Sequence, residues 1–414
     1  MQTFLNKIFG AIKTNKLFFH DAFWNMVAFM VYICSQQILL LPIMAKLLDS
    51  ESYGDLILYI TIMNVFCNVL GGQIGVTHQL QKKIYGTNAE EEHSDFLLLM
   101  LGASLLIAIC FPIILFVLKF DAVSVIFITI TVIISNFRLY IRYHFRITST
   151  YKRMIIQNVF YLAGIVIGLV LYPLVEIMWL PLFAGEIFGL VFTLFAIPLK
   201  IALPRKTSTF AATLKRYSGL GSADALTNLV TLIDKLLIYP VMGAHSLAVY
   251  NSGAATSKIA ALIVNPLNEV ILVKLSKAKD AGRSKLLKTV ILVSIVSCAI
   301  IFVVLIPVIY LFSYILYRQY LREICTIIIF LSLSCAVGFT ASILKSFILR
   351  YAKPIRITIC YLINVCFLAI GGIIGAKFWG LAGFACAVTL GSVELWLSFI
   401  FVLLKCMKEE TYEK

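Results

Sequence analysis

Long apolar runs, broken by short polar, basic or turn-forming stretches, make up nearly the whole chain. A membrane-crossing helix takes about 20 mostly apolar residues. Twelve runs of that length can be read, at 21–41, 55–77, 96–118, 122–143, 155–173, 177–199, 217–241, 246–272, 287–313, 323–344, 355–376 and 380–404. An even number puts both chain ends on one side. The longest connection on that side, KIALPRKTSTFAATLKR at 200–216, divides the chain almost in half. The pattern therefore predicts an all-α integral membrane protein with two six-helix lobes, 1–205 and 206–414.

The halves match weakly when slid over each other by 194 positions: LLDSESYGDL (47–56) falls on VMGAHSLAVY (241–250), and Lys83 on Lys277. Six spans per half give the repeats the same orientation, so a parallel repeat about an axis along the membrane normal is expected.

Composition narrows the class. Of 414 residues, 61% are apolar and 13% charged, against about 45–50% and 25% in soluble domains. The mean hydropathy of +0.98 excludes a cytosolic enzyme, a disordered protein and a secreted disulfide scaffold. A net charge of +15 resembles a nucleic-acid signal until its placement is examined. With the N-terminus in the cytoplasm, 28 basic residues fall in inside segments and 5 in outside ones. That asymmetry is how membrane proteins mark their cytoplasmic face, and it argues against a nucleic-acid partner. The ten cysteines are scattered with no C-x-x-C pair, implying neither metal site nor disulfide frame. No phosphate loop and no cleavable signal peptide are read, and no cofactor is implied. All outside loops are short. The longest, around 42–54 and 314–322, hold a turn or an interfacial helix at most.

Charge at lipid depth costs roughly 2.5–3.5 kcal/mol by insertion scales and persists only facing protein or water. Asp234 and Lys235 are adjacent on the seventh span, Lys258 lies mid-way along the eighth, Glu186 along the sixth and Glu394 along the twelfth. Helical neighbours point about 100° apart, so Asp234 and Lys235 cannot face one another. Lys258 needs a carboxylate from another helix, Asp234 for example, or a water-filled basic cavity. Asp21, Asn25, Tyr32 and Gln36 share one face of the first span, and Asn64 and Asn68 add a second stripe, as helix–helix glue or as cavity lining. Arg138, Arg142 and Arg146 recur every four residues at the end of the fourth span. They either snorkel to the inner interface or form a ramp for an anionic head group. Glu186, Glu394 and Asp234 are the acids placed to carry a coupling proton or cation, or to be protonated and hydrogen-bonded to a neighbour.

On these features the chain resembles the bacterial polysaccharide (O-antigen, Wzx-type) flippases of the multidrug/oligosaccharidyl-lipid/polysaccharide transporter superfamily. LLDSESYGDLILY (47–59) is similar to that family's L-x-x-E-x-[FY]-G segment. The stretch 234–277 adds the span-ending Asp234-Lys235, an Ala-rich run, Asn265-Pro266 and a basic exit, although Ala248-Val249 replaces the usual glycine before Tyr250. The resemblance implies a MATE-like fold in the bacterial inner membrane. It also implies an undecaprenyl-pyrophosphate-linked oligosaccharide as cargo, flipped to the outer leaflet by alternating access. Membrane lipid, a polysaccharide polymerase and a chain-length regulator are the implied partners. Lys235, Lys258, Arg138 and Arg142 would meet the pyrophosphate, and Asn25, Gln36, Asn64 and Asn68 the sugars. A multidrug exporter of the same superfamily is the alternative, though a cationic cargo calls for unpaired acids. A polymerase would need catalytic groups in an outside loop, where Asp49, Glu51 and Asp55 form the only acidic cluster.

Overall fold

A computed structural model of the chain describes residues 16–85, 89–148, 150–196, 204–277, 283–351 and 354–412. The side chains of Asp21 and of 257–286, hence Lys258 and Asn265-Pro266, lie outside the described residues. All regular structure among the described residues is helical. In hydrocarbon no water is present to bond free backbone groups, and a helix satisfies them within one segment.

The helices are α1 (Lys16–Cys34), α2 (Leu41–Leu47), α3 (Ser50–Cys67), α4 (Gln73–Tyr85), α5 (Ala89–Val117), α6 (Ala122–Ile147), α7 (Tyr151–Val175) and α8 (Leu180–Ala196). They continue with α9 (Phe210–Lys277), α10 (Arg283–Leu316), α11 (Leu321–Tyr351) and α12 (Pro354–Tyr412). Two π-helical stretches, Ser35–Leu40 and Asn68–Gly72, join α1 to α2 and α3 to α4. Two of the helices are hairpins. Gly243 (φ 85°, ψ 174°) breaks α9, and the arms on either side run antiparallel, so that Tyr250 reaches back to Asp234. Trp379 and Gly380 (φ 59°) break α12, where Gly375 and Gly383 bring backbone against backbone. With both hairpins counted as two arms, the described parts of the twelve apolar runs are largely helical, and residues 197–199 of the sixth run lie outside the described residues. Nine stretches among the described residues are long and apolar enough to cross a membrane, and α8 is a shorter one.

The chain packs as two compact units. One comprises Met1–Leu40 with Phe66–Ser222, the other Leu41–Val65 with Ala223–Lys414. In the first unit the α7–α8 hairpin is tight, and Asn158 Nδ2 donates to the Ala28 carbonyl (2.6 Å), tying α7 to α1. In the second unit a cluster including Leu287, Leu344, Ile348, Phe399 and Leu403 joins α10, α11 and α12. There too Leu41–Val65 is bound to α9 and to the short turn Arg318–Tyr320 that precedes α11. Gly54, the glycine of the L-x-x-E-x-[FY]-G segment, lies against the Ala244 backbone, where a side chain would collide. Asp55 accepts from Tyr239 Oη (2.7 Å), and Gln319 donates to the Ala45 carbonyl.

The connection between the halves is held by the first unit. Asp95, fully buried at the start of α5, accepts from Thr207 N (3.0 Å), Thr207 Oγ1 (2.6 Å), Thr209 Oγ1 (3.0 Å) and Tyr85 Oη (2.9 Å). Ser94 bonds both the amide and the carbonyl of Arg205. Burial pushes the Tyr85 phenol above its ordinary value, so it stays a donor. Hydrogen bonds to a charged acceptor contribute about 1.5–3 kcal/mol each. Asp95→Asn is accordingly expected to lower the thermal unfolding midpoint in detergent and to expose Arg205–Thr213 to proteolysis. An unchanged midpoint and cleavage pattern would show that the clasp is incidental.

Candidate functional site

The richest polar cluster lies inside the first unit, where α1, α6, α7 and α8 meet. Arg138 and Glu186 are its centre. Arg138 Nε donates to Glu186 Oε2 (2.5 Å) and Nη2 to Oε1 (3.0 Å), a two-point bridge whose side chains are 1% and 0% exposed. Glycines make the approach possible. A methyl group on Gly189 would stand 2.8 Å from Arg138 Cδ, and Gly164 and Gly168 let α8 pack closely on α7. The guanidinium lies over the rings of Tyr161 (4.7 Å) and Tyr32 (5.2 Å). Gln36 Nε2 donates to both phenol oxygens, at 2.9 Å to Tyr161 and 3.1 Å to Tyr32.

Arg142 follows one turn along α6. It is buried, with its guanidinium 5.9 Å from the Tyr32 ring, and no carboxylate pairs with it among the described residues. Its Nε has no hydrogen-bond partner, and neither does Arg146 Nε or Arg138 Nη1. Among the described residues Glu186 is the carboxylate paired on this face of α6, and it binds Arg138. Buried acceptors without partners also occur in this unit, at Asn25 Oδ1, Gln37 Oε1, Gln157 Oε1 and Asn158 Oδ1.

Both π-helical stretches belong to this region. Gln36 sits within the first. In the second, the Gly71 amide donates to Asn136 Oδ1 (2.7 Å), two residues before Arg138. Such stretches free backbone groups and recur at functional sites. Farther along, Glu92 is bound by His78 Nε2 and Lys82 Nζ (2.6 Å each), an ion-paired cluster that single-helix spacing did not reveal.

The remaining sequence candidates are dispersed. In the second unit Asp234 Oδ2 accepts from Tyr250 Oη (2.9 Å) and Oδ1 from the Lys235 amide (2.8 Å). Lys235 is buried and forms no ion pair among the described residues. Glu394 accepts from Asn364 Nδ2 (3.0 Å) and Ser398 Oγ (2.8 Å). Asn64 is half-buried in the second unit, while Asn68 is exposed in the first. Nothing in the sequence marked Tyr161 or Asn136, because each acquires its role from a residue on another helix.

One arrangement has the order of a hydrolase triad: Ser50 Oγ against His245 Nδ1, and His245 Nε2 2.9 Å from Glu323 Oε2. The amides that would hold an oxyanion, those of Glu51 and Ser52, are taken by Asp49 Oδ2 at 3.0 and 3.1 Å. Ser52 chiefly holds that carboxyl below its usual range. The chain of contacts ties α3 to α9 and α11.

Removing one partner of a buried pair costs about 3–5 kcal/mol, whereas replacing both by apolar groups is close to neutral. Arg138→Met and Glu186→Met are each expected to deplete the protein from membranes, and the double variant to restore it. Immunoblotting of membrane fractions reads this directly. Loss in the double variant equal to that in the singles would refute mutual compensation.

No protein-family model matches the chain, and no curated protein sequence matches it. Solved structures do. The inward-facing form of a multidrug resistance MATE family transporter of the MOP superfamily matches with TM-score 0.68 at 14% identity, over 93% of this chain and 99% of that one. The lipid II flippase MurJ, in an inward closed conformation, matches with TM-score 0.61 at 14% identity, over 94% and 88%. A MOP superfamily transporter from Pyrococcus furiosus gives 0.60 at 16% identity, over 95% of each chain. The chain therefore has the all-helical, multi-pass membrane fold of the MATE transporters and of MurJ.

Proposed function

We propose that this protein is a flippase carrying a polyprenyl-pyrophosphate-linked oligosaccharide, an O-antigen or capsule repeat unit, from the inner to the outer leaflet of the bacterial inner membrane. The lobes 1–205 and 206–414 would alternate access, with both termini cytoplasmic. The observation that carries the reading is Arg142, buried with no carboxylate to pair with among the described residues. A cation in that setting is retained at a cost unless an anion visits it. A pyrophosphate supplies the anion. The half-buried ring of Tyr32 and the amide of Asn25, whose Oδ1 has no partner among the described residues, are groups suited to sugars. Lys235, buried and without an ion pair among the described residues, is the second-unit counterpart, and Lys258 joins it by sequence. MurJ, named for lipid II, shares the fold.

Coupling is assigned to Asp234 and Glu394. Their described side-chain partners are neutral donors, Tyr250 for one and Asn364 and Ser398 for the other, so neither is committed to an ion pair among the described residues. Glu186 is committed to Arg138. A polysaccharide polymerase and a chain-length regulator would act on the delivered unit.

Arg142→Ala, Lys235→Ala and Lys258→Ala are expected to cut surface polysaccharide at least tenfold while the protein stays in the membrane, and Arg142→Lys to retain part of it. Normal export by all three alanine variants would remove the basis of the assignment. Efflux of cationic dyes, lost on neutralising Asp234 or Glu394 while polysaccharide export is unaffected, would favour the multidrug reading.

A further inference from the structure

The two arms of α12 touch backbone to backbone near their turn and pack through larger side chains farther along, where Tyr361 meets Phe399. Near the turn, Gly375 and Gly383 set the arms backbone to backbone, and Asn364 Nδ2 then bridges to the Gly391 carbonyl (2.7 Å) and to Glu394. Beyond Glu394 small residues give way to Leu397 and Phe401, opposite Ile359 and Ile363, and a groove of about 460 Å³ opens between the arms. Its walls are exposed, Phe401 to 70%. Cys360 and Val402 close the floor as part of the buried cluster beneath. At its far end it is lined by Arg356 and Lys405, and among the described residues no acidic side chain lines it. Arg356 Nη1 donates to Cys406 Sγ (3.6 Å), which anchors the guanidinium at the groove mouth, while Lys405 is exposed. By the alternation of charge along the chain, this end belongs to the cytoplasmic leaflet.

We propose that this groove binds one anionic glycerophospholipid, its phosphate held by Arg356 and Lys405 and an acyl chain lying along Ile359, Ile363, Leu397 and Phe401. Two cations at one end of a trough lined otherwise by apolar side chains and Ser398, whose hydroxyl is bonded to Glu394, match the two ends of such a lipid, and a basic pocket between spanning helices at the cytoplasmic side is a recognised form of head-group site. A zwitterionic lipid offers the same tails, but its own cation opposes those of the protein. The occupant is thus selected by its head. The groove lies wholly within the second unit and does not involve Arg142, so the inference stands apart from the transport reading.

The test uses the full-length protein in detergent, with phosphatidylglycerol or phosphatidylcholine added as mixed micelles. Phosphatidylglycerol is expected to raise the unfolding midpoint more than phosphatidylcholine does, and to be retained in native mass spectrometry. Each of Lys405→Gln and Arg356→Gln should weaken retention about fivefold, in line with the worth of one basic residue near an anionic head. Lys405→Glu, at an exposed position that leaves the fold intact, should abolish the preference. Equal stabilisation by the two lipids overturns the proposal, as does retention unchanged in Lys405→Glu. Retention of a polyprenyl phosphate in preference to phosphatidylglycerol overturns the choice of occupant. Stabilisation by glycerol phosphate alone overturns the role given to the apolar walls.

Discussion

Within lipid, a polar group that finds no partner in its own protein finds none at all, and that constraint organises the first unit. Arg138 and Glu186 could not occupy the interior singly. Their bridge draws α6 to α8, requires a glycine at 189 to admit the arginine stem, and fixes the ring faces of Tyr32 and Tyr161 against the guanidinium. Asn136, on the same helix, serves the backbone that a π-helical turn leaves unbonded. The pair is best understood as scaffold: it sets the positions of rings and amides around the next cation along, Arg142.

The two units solve the problem of buried charge differently. The first holds more cations than acids on one face of α6 and leaves guanidinium nitrogens unmatched. In the second, Asp234 and Glu394 are held by a phenol, an amide and a hydroxyl. A guanidinium cannot give up its proton, so its charge is permanent and calls for an anion. That contrast is what the proposed roles of Arg142 and of the two acids rest on.

Much of the fold was legible in one dimension. Length and apolarity of a run are local properties, so the described parts of the twelve runs are largely helical, and the break expected between 241 and 246 falls at Gly243. The glycine of the L-x-x-E-x-[FY]-G segment also has a cause, in the backbone of Ala244. Pairing was not legible. Arg138 and Glu186 are 48 positions apart, and spacing along one helix says nothing of which residue on another will meet it. Sequence alone set Arg138 beside Arg142 as a repeating basic face, and only the tertiary arrangement separates the compensated cation from the uncompensated one. The π-helical stretches left no mark in the hydropathy pattern either, since they alter backbone bonding without altering polarity.

Leu41–Val65 packs with the later part of the chain although it precedes most of the earlier part. The polypeptide must therefore pass from one unit to the other three times, after Leu40, after Val65 and after Ser222. A single tether would let the units turn freely. Three covalent strands mean that any displacement of one against the other has to be absorbed at three pivots together. Two of those crossings lie next to the π-helical stretches, and the third falls within the first arm of α9, just after Gly219 and Gly221.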